Sequence, residues 1–544
     1  MELTAQQFDD FFKAVYGYPP FRWQSLLAQR VAAEGWPEGI DLPTASGKTA
    51  CLDIAVFTLA LSAKQKGGLP RPRRMFFVVD RRIVVDEAAQ RAKTLREKLQ
   101  GAKSGIVKEV ADRLRRLAGG GEPLVVARMR GGTLRDDRWV DSPAQPAIIT
   151  STVDQVGSRL LFRGYGPGEL SQSIHAGLVA YDSLILLDEA HCAVPFMQTA
   201  QAVRRYAGSE WIEPAIVEQG FLRPMEFVVL SATLPPEIPQ KARFPRSEQE
   251  RSHILDDEAL RPRVETPKQA ELAVAKKPGK REWVLGPQIS DDPLVLDLAQ
   301  RAADLANKGY KRIAVMVNRV ASAWLVCRQL QQALNGEDAE NGRSSEHGRP
   351  AVRADAVLMT GRMRPIDRDR LVEQCSPVLE AGSGAQPERP IIMVTTQCLE
   401  VGADFSFDAL LTECASLDAL RQRFGRLNRL GKLEGDKTTS AILIGRKPKA
   451  TSLQKDQRKT LADDPIYGKA LEATWLWLHG HATDGLLDFT TRHIDQLVRA
   501  LPKDDKRLLL APSPDAPVML PTHLDFLCQT APRPAPDPDV ALFL

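Results

Sequence analysis

The side chains with the clearest chemistry lie in a segment that could bind phosphate. Residues 42–49 read LPTASGKT, and a loop of this kind surrounds phosphates with backbone N–H groups at the start of a helix. Lys48 would reach the β- and γ-phosphates of ATP, and the Thr49 hydroxyl would ligate Mg²⁺. The predicted phosphate-binding residues are Pro43, Thr44, Ala45, Ser46, Gly47, Lys48 and Thr49.

Two positions of this loop depart from the usual pattern. Position 42 is Leu where the full pattern has glycine, and position 45 is Ala where related loops usually keep glycine. The loop can still close if Ala45 takes a negative φ, because only a positive φ makes glycine necessary. The apolar helix predicted after the loop and the strand predicted before it support the phosphate site.

A pair of carboxylates follows the apolar run 184–187. Asp188 is suited to hold Mg²⁺ through water, and Glu189 is suited to polarise the attacking water as a general base. His191, two residues later, would link the state of the nucleotide to the second half of the chain. The alternative is an acidic helix start, which the upstream lysine makes less favoured.

Upstream of the loop, residues 21–24 (FRWQ) offer two aromatic rings and an amide. Gln24 could pair with N6 and N7 of adenine, as glutamine does in base recognition. Simple core packing of Phe21 and Trp23 is an equal alternative.

A basic cluster lies far downstream, in residues 421–429. If that segment is helical, Arg426 and Arg429 lie on one face, and their guanidinium groups could neutralise charge on a γ-phosphoryl group. The cluster has no interleaved acids, which favours an anionic ligand. A basic helix face toward solvent is the alternative.

The elements that must position these residues are strands of two parallel α/β sheets. Four apolar runs in the first half and three in the second alternate with helical segments, and motifs follow the runs where open sheets bind ligands. The first set is 75–80, 147–150, 183–187 and 226–230, and the second is 312–317, 356–359 and 390–394. We predict a domain over 1–265, a linker over 266–285, a second domain over 286–450 and an accessory region over 451–544.

Composition limits the alternatives. The 544 residues are 43% hydrophobic and 26% charged with a net charge of +4, which is ordinary for a globular protein and only mildly basic. Seven scattered cysteines without a Cys-x-x-Cys pair favour a reducing compartment over disulfides or zinc. No secretory signal or membrane span is visible, so we expect a cytoplasmic protein without a membrane partner.

Together these segments resemble superfamily-two helicases, and among them the signature helicase of type I CRISPR systems. The most specific stretches are 395–404 (TTQCLEVGAD) and 422–431 (QRFGRLNRLG), with further similarity in 188–196 and 361–368. Segment 79–82 (VDRR) is similar to the type I-G branch. The resemblance covers about residues 20–435.

The resemblance implies two tandem RecA-like domains with single-stranded DNA bound across both. It implies nucleotide roles for Gly402, Asp404 and Gln422, and coupling of hydrolysis to DNA by Ser231 and Thr233. It places the DNA track on Arg81, Arg82, Thr152, Gln155, Asn318, Arg319, Thr395 and Thr396. Turn and capping chemistry is an equal alternative for each of these short segments.

The implied activity is an ATP-dependent DNA helicase of an antiviral defence system, acting when a guide-RNA surveillance complex has opened its target. An RNA helicase, a restriction-type translocase and a silent nucleic-acid-binding scaffold are the alternatives. The family usually carries a nuclease domain with a His-Asp pair, and none of the eight histidines here precedes an aspartate. We therefore expect no nuclease activity in this chain, with the cutting domain in a separate protein or beyond Leu544. The apolar run 540–544 predicts that the natural protein continues, or equally that the tail docks on the body.

Overall fold

The apolar runs predicted as strands form two seven-stranded sheets, one in each of two units of the chain. The first unit is Met1–Leu260 with Ser513–Leu544, and the second is Arg261–Pro512. The computed structural model describes residues 3–544 except 64–70, 81, 130–135, 191–192, 209, 219–222, 233, 236, 280–282, 284, 286, 335–352, 401–403, 434–438 and 447–460.

All strands of the first sheet are parallel, in the order β3-β4-β2-β5-β6-β1-β7. The central strands are buried on both faces, which is why they read as continuous apolar runs rather than alternating ones. The strands are β1 Gly39–Asp41, β2 Arg74–Val79, β3 Val125–Met129, β4 Ala147–Thr152, β5 Ser183–Asp188, β6 Glu226–Ser231 and β7 Arg243–Phe244.

Helices cover this sheet, and the one that follows the phosphate loop lies deepest. Almost every side chain of α3 is buried, as expected for a helix that is apolar on all sides. Its one acid, Asp53, pairs with Arg91 of α4 at 2.7 Å. The helices are α1 Phe8–Tyr16, α2 Arg22–Glu34, α3 Cys51–Ser62, α4 Arg82–Gly101, α5 Gly105–Leu117, α6 Val153–Leu160, α7 Gln172–Ala180, α8 Val194–Tyr206, α9 Pro214–Glu218 and α10 Glu248–Leu255.

The second sheet has the order β10-β11-β9-β12-β13-β8-β14 and is parallel except for β14, which pairs antiparallel with β8. The predicted linker, 266–285, contains β8, which lies in the interior of this sheet. The strands are β8 Gln269–Val274, β9 Arg312–Met316, β10 Asp355–Met359, β11 Ile391–Thr395, β12 Ala409–Glu413, β13 Ser440–Gly445 and β14 Leu486–Asp488.

Helices also cover the second sheet, and α12 contributes more residues to the buried apolar cluster than any other element. Asp292 caps α12 by accepting a hydrogen bond from the Leu294 N–H, and a proline follows at the first helical position. The helices are α11 Arg261–Glu265, α12 Pro293–Asn307, α13 Val320–Leu334, α14 Pro365–Leu379, α15 Leu417–Phe424, α16 Ala470–His481, α17 Thr491–Ala500 and α18 Lys503–Leu509.

The C-terminal segment 513–544, with α19 Pro521–Leu527, belongs to the first unit. Arg163 binds it through Asp537 at 2.7 Å and the Leu527 carbonyl at 2.8 Å. Thr199 of α8 donates to the Phe543 carbonyl, also at 2.7 Å. The accessory region predicted as one piece over 451–544 therefore divides between the two units, whereas the prediction of two parallel α/β sheets is confirmed.

Candidate nucleotide site and arginine network

The candidate nucleotide site lies where three neighbouring strands of the first sheet end. Strands β5, β6 and β1 are adjacent, with Asp188 opposite Leu230 and Asp41 opposite Ser231. Because parallel strands end at the same edge, the carboxylate of Asp188, Ser231 with its predicted coupling role, and the loop after Asp41 come together.

Lys48 is held by the two carboxylates at this edge. Its Nζ lies 2.9 Å from Glu189 Oε1 and 3.4 Å from Asp188 Oδ1, and the residue is only 7% exposed. Burial alone would lower the pKa of Lys48, but Glu189 and Asp188 more than offset it and raise the pKa. Burial and the neighbouring Glu189 raise the pKa of Asp188 against the opposing effect of Lys48. A charged lysine is thus kept beside two carboxyl groups.

The loop has a backbone conformation at position 45 that differs from the one expected for alanine. Ala45 has φ +61° and Gly47 has φ +77°, both left-handed. The condition of a negative φ at Ala45 is therefore wrong, and an alanine there costs about 1–2 kcal/mol in backbone strain. The Ser46 side chain compensates because it is fully buried and donates to the Pro43 carbonyl at 2.7 Å, closing the turn locally.

Helix α2 braces the loop from the side. Trp23 Nε1 donates to the Ser46 carbonyl at 2.9 Å, and Gln24 Nε2 lies 3.4 Å from the Gly47 carbonyl. A Cβ on Gly47 would meet the Phe21 ring at 3.2 Å and Gln24 Nε2 at 3.3 Å. The sequence offered Trp23 as part of an aromatic surface or as a core residue, and its hydrogen bond to the loop is a role that sequence reasoning missed.

Glu189 also has a left-handed backbone, with φ +51°. Its N–H is held by the Leu230 carbonyl at 2.9 Å and by Asp188 Oδ1 at 3.1 Å. Strained backbone held by its surroundings is typical of functional positions. Carboxylate and hydroxyl oxygens are the donors that Mg²⁺ prefers, so Asp188 and Thr49 fit the ion by chemistry.

In the second unit the central charge is Arg423, which has no exposed surface. Its guanidinium lies 2.8 Å from Glu400 Oε1, and it donates to Thr412 Oγ1 at 2.8 Å and to Asn318 Oδ1 at 2.9 Å. It also donates to the Tyr467 hydroxyl at 3.1 Å. We call Arg423, Glu400, Thr412, Asn318 and Tyr467 the arginine network.

Arg426 and Arg429 lie beyond α15, which ends at Phe424. The shared helix face, predicted for them if the segment were helical, therefore does not form. The helix stops because the chain pairs with Phe407, whose N–H donates to the Arg426 carbonyl at 2.9 Å and whose carbonyl accepts from Asn428 N–H at 2.8 Å. Arg426 is 5% exposed and donates to the Glu400 carbonyl, while Arg429 forms an ion pair with Asp404.

The basic cluster has more acidic partners in the fold than its sequence indicates. Glu400 pairs with Arg423, Asp404 with Arg429, and Asp495 with Arg421 at 3.0 Å. These acids lie up to dozens of residues away in sequence. For these three arginines, the lack of interleaved acids in the sequence therefore no longer favours an anionic ligand. Gln422 lies half-buried in α15.

The predicted DNA-track residues lie mostly at strand ends and are mostly buried. In the first unit Thr152 ends β4, and Gln155 in α6 accepts from Arg159 at 2.8 Å. In the second unit Thr395 and Thr396 are buried at the end of β11. Arg319 is different, since its side chain is 52% exposed.

Asn318 differs from its expected role in a DNA track. Both polar atoms of its side chain are used within the unit, Oδ1 by Arg423 and Nδ2 by the Cys414 carbonyl at 2.7 Å. Arg81, His191, Thr233 and Gly402 lie outside the described residues, and Arg82 begins α4 without a described side chain.

Two further side chains lie against α15 without any signal in the sequence. Lys268, just before β8, donates its Nζ to the Phe424 carbonyl at 2.8 Å. Burial, and next Arg429, lower the pKa of Lys268 to about 7. Tyr467 comes from the accessory region and is 4% exposed. Neither residue belongs to a recognisable motif, so only the fold brings them to the arginine network.

The described residues contain no helix long and apolar enough to cross a membrane. Among the same residues no group of three or more His, Cys, Asp or Glu side chains is arranged to hold a metal ion. The Mg²⁺ fit above depends instead on the one hydroxyl and one carboxylate, with phosphate supplying further oxygens.

The two α/β sheets and the ordered motifs are similar to those of superfamily-two helicases. Residues 309–432 match the family model described as "CRISPR-associated nuclease/helicase Cas3, C-terminal". The CRISPR-associated helicase Cas3 of Thermoproteus tenax is 39% identical over 112 residues, which are 20% of this chain and 18% of that protein. The CRISPR-associated nuclease/helicase Cas3 of Haloferax volcanii is 37% identical over 73 residues, 13% of this chain and 7% of that one. Residues 309–432 are thus similar to the C-terminal part of Cas3.

The whole chain has the fold of solved Cas3 structures. The ADP complex of T. fusca Cas3 has a TM-score of 0.58 at 19% identity, and covers 94% of this chain and 54% of that one. The AMPPNP complex has a TM-score of 0.52 at 17% identity, and covers 92% and 53%. The chain therefore spans about half the length of these structural relatives, and it is similar to Cas3 over its helicase fold.

Proposed function

We propose that this chain is an ATP-dependent DNA helicase of a type I CRISPR defence system. The observation that carries the proposal is the contact of Lys48, in the loop after β1, with Glu189 and Asp188 at the end of β5. A nucleic-acid scaffold has no need for a buried lysine between two carboxylates. A phosphoryl-transfer site needs all three side chains, for phosphate binding, metal binding and water activation.

In the proposed reaction the loop amides and Lys48 bind the β- and γ-phosphates of ATP. Lys48 then exchanges contact with Glu189 for contact with phosphate, which leaves the Glu189 carboxylate to orient and deprotonate the attacking water. Mg²⁺ bound by Thr49 and Asp188 would neutralise phosphate charge. Arg426 and Arg429 supply positive charge to the γ-phosphoryl group in this proposal.

The proposed substrate is single-stranded DNA, gripped without sequence readout by strand-end hydroxyls and by arginines such as Arg319. The similarity to Cas3 supports recruitment to a target that a guide-RNA surveillance complex has opened. The proposal also includes a cytoplasmic location and a nuclease domain supplied elsewhere. Assignment to the type I-G branch, and the lack of nuclease activity in these residues, are further parts of the proposal.

The test is steady-state ATP hydrolysis with single-stranded DNA, with single-stranded RNA and without polynucleotide. We expect stimulation by DNA, and we expect Glu189→Gln to lower the rate by roughly 10²–10³-fold. The matched control is Glu226→Gln, at the opposite end of β6, which should leave the rate unchanged. Stimulation by RNA alone would favour an RNA helicase, and no turnover in any condition would favour a scaffold.

A further inference from the structure

The accessory segment 461–512 contacts helix α15, which carries Arg421 and Arg423 of the basic cluster. Asp495 of α17 pairs with Arg421 at 3.0 Å, and the Ala511 N–H donates to Asp418 at 3.0 Å. The Phe489 ring stacks on Phe424 with centroids 3.8 Å apart and planes 7° from parallel. Helix α15 is therefore fixed at three points along its length by residues outside the segment that resembles helicases.

A fourth contact from this segment reaches the arginine network itself. The Tyr467 hydroxyl accepts from Arg423 at 3.1 Å and lies 3.3 Å from Gln397 Nε2. Gln397 Nε2 also donates to the Asn318 carbonyl at 2.9 Å. One phenol oxygen thus joins the segment after β11 to helix α15, and through Gln397 to the end of β9.

The loop that carries Tyr467 is held by hydrogen bonds among its own residues. Asp464 Oδ1 accepts from the N–H groups of Ile466 at 2.8 Å and Tyr467 at 3.0 Å, which is a local aspartate turn. The backbones of Asp464 and Gly468 exchange two hydrogen bonds, of 3.1 and 2.8 Å. The remaining Asp464 oxygen lies 3.8 Å from Arg319. The same turn therefore orients the phenol and faces the exposed arginine of the predicted DNA track.

We propose that Tyr467 is a positioning residue that transmits DNA binding near Arg319 and Thr396 to Arg426. The path runs from Gln397 through the Tyr467 hydroxyl to Arg423, three residues before Arg426. The inference rests on the proposed function, because it concerns how DNA stimulates ATP hydrolysis. It gives the accessory segment a role in coupling rather than in partner binding.

The test compares Tyr467→Phe with wild type in the full chain, using oligothymidine as the DNA. The ring remains, and Arg423 keeps Glu400, Thr412 and Asn318, so the variant should fold. We expect the ratio of stimulated to unstimulated hydrolysis to fall by roughly three- to tenfold, the effect of losing one hydrogen bond of ordinary strength. The oligothymidine concentration for half-maximal stimulation should not change.

Three further variants make the result specific. Gln397→Ala should lower the same ratio, and the double variant should lose no more than the larger single loss, because both act on one path. Tyr206→Phe is the matched control, since it removes a hydroxyl that donates to the Met519 carbonyl at 2.8 Å in the first unit. It should leave the ratio at the wild-type value.

Three outcomes would overturn the inference. A Tyr467→Phe ratio equal to wild type would contradict it, as would fully additive losses in the double variant. A raised half-maximal concentration with an unchanged ratio would show that Tyr467 serves DNA affinity instead. If wild type itself shows no stimulation by DNA, the proposed function fails and this inference fails with it. If wild type is stimulated and Tyr467→Phe is stimulated equally, only this inference fails.

Discussion

Lys48 and Arg423 are both buried cations held by carboxylates, yet their surroundings differ. Lys48 contacts two acids from a single motif, at a sheet edge beside a loop shaped for phosphate. Arg423 is enclosed by the side chains of Glu400, Thr412, Asn318 and Tyr467, with no exposed surface. In the proposed function the first ion pair opens to admit a ligand, whereas the second is part of the core. Buried charge alone therefore does not identify a ligand site.

The largest expected effect of this difference is on stability. Arg423→Met should lower the free energy of unfolding by roughly 3–5 kcal/mol, because it leaves Glu400 as a buried charge without its main partner. Urea unfolding of the purified variant measures this. The double variant Arg423→Met, Glu400→Met should recover part of the loss. A cost below about 1 kcal/mol would contradict the view that Arg423 belongs to the core.

The second prediction concerns pH and Lys268. Its folded pKa of about 7 is below the ordinary lysine value, so between these values the unfolded chain binds more protons. The buried charge lowers the free energy of unfolding by its full amount below about pH 7. This loss shrinks as the pH rises from there toward the ordinary lysine pKa. Lys268→Met should therefore raise Tm relative to wild type most at about pH 6, and the advantage should shrink toward about pH 9.

The matched control for this prediction is Lys308→Met, at an exposed lysine of the same unit. Its Tm difference from wild type should not depend on pH. A Lys268→Met difference that is constant with pH, or that grows as pH rises, would show that Lys268 is not a buried cation.

The third prediction tests the strain in the phosphate loop. Ala45→Gly should raise the free energy of unfolding by up to about 1 kcal/mol, because glycine adopts a positive φ without the cost that alanine bears. Gly47→Ala should do the reverse, since a Cβ there meets Phe21 and Gln24. Thermal unfolding of both variants is the measurement. A loss of stability in Ala45→Gly would mean that the alanine is not strained.

The smallest expected effect is at the partly exposed pair of Arg429 and Asp404. Arg429→Met should lower the free energy of unfolding by less than about 1 kcal/mol, because solvent screens the pair. Its effect on ATP hydrolysis should be much larger if Arg429 contacts phosphate. Equal and small effects on both would remove Arg429 from the proposed reaction.

The sequence was sufficient for the parallel sheets and for the meeting of Lys48, Asp188 and Glu189. Asp188 and Glu189 come after the apolar run 184–187, and a strand was predicted before the loop that holds Lys48. Parallel strands bring the residues at their carboxyl ends to one edge of the sheet. The partners of the arginines could not be predicted, since Asp495 and Tyr467 come from a segment without motifs. The φ of Ala45 was also beyond sequence reasoning, because it depends on how Trp23 and Ser46 hold the loop in the folded protein.

The central claim is that Lys48 exchanges its carboxylate partners for nucleotide phosphates. The most direct test is the thermal shift of wild type and Lys48→Met with a non-hydrolysable ATP analogue and Mg²⁺. We predict that wild type gains about 2.7 kcal/mol at a ligand concentration of about 100 times Kd, and that Lys48→Met gains little at the same concentration. An equal shift in both proteins, or no shift in wild type, would contradict this claim.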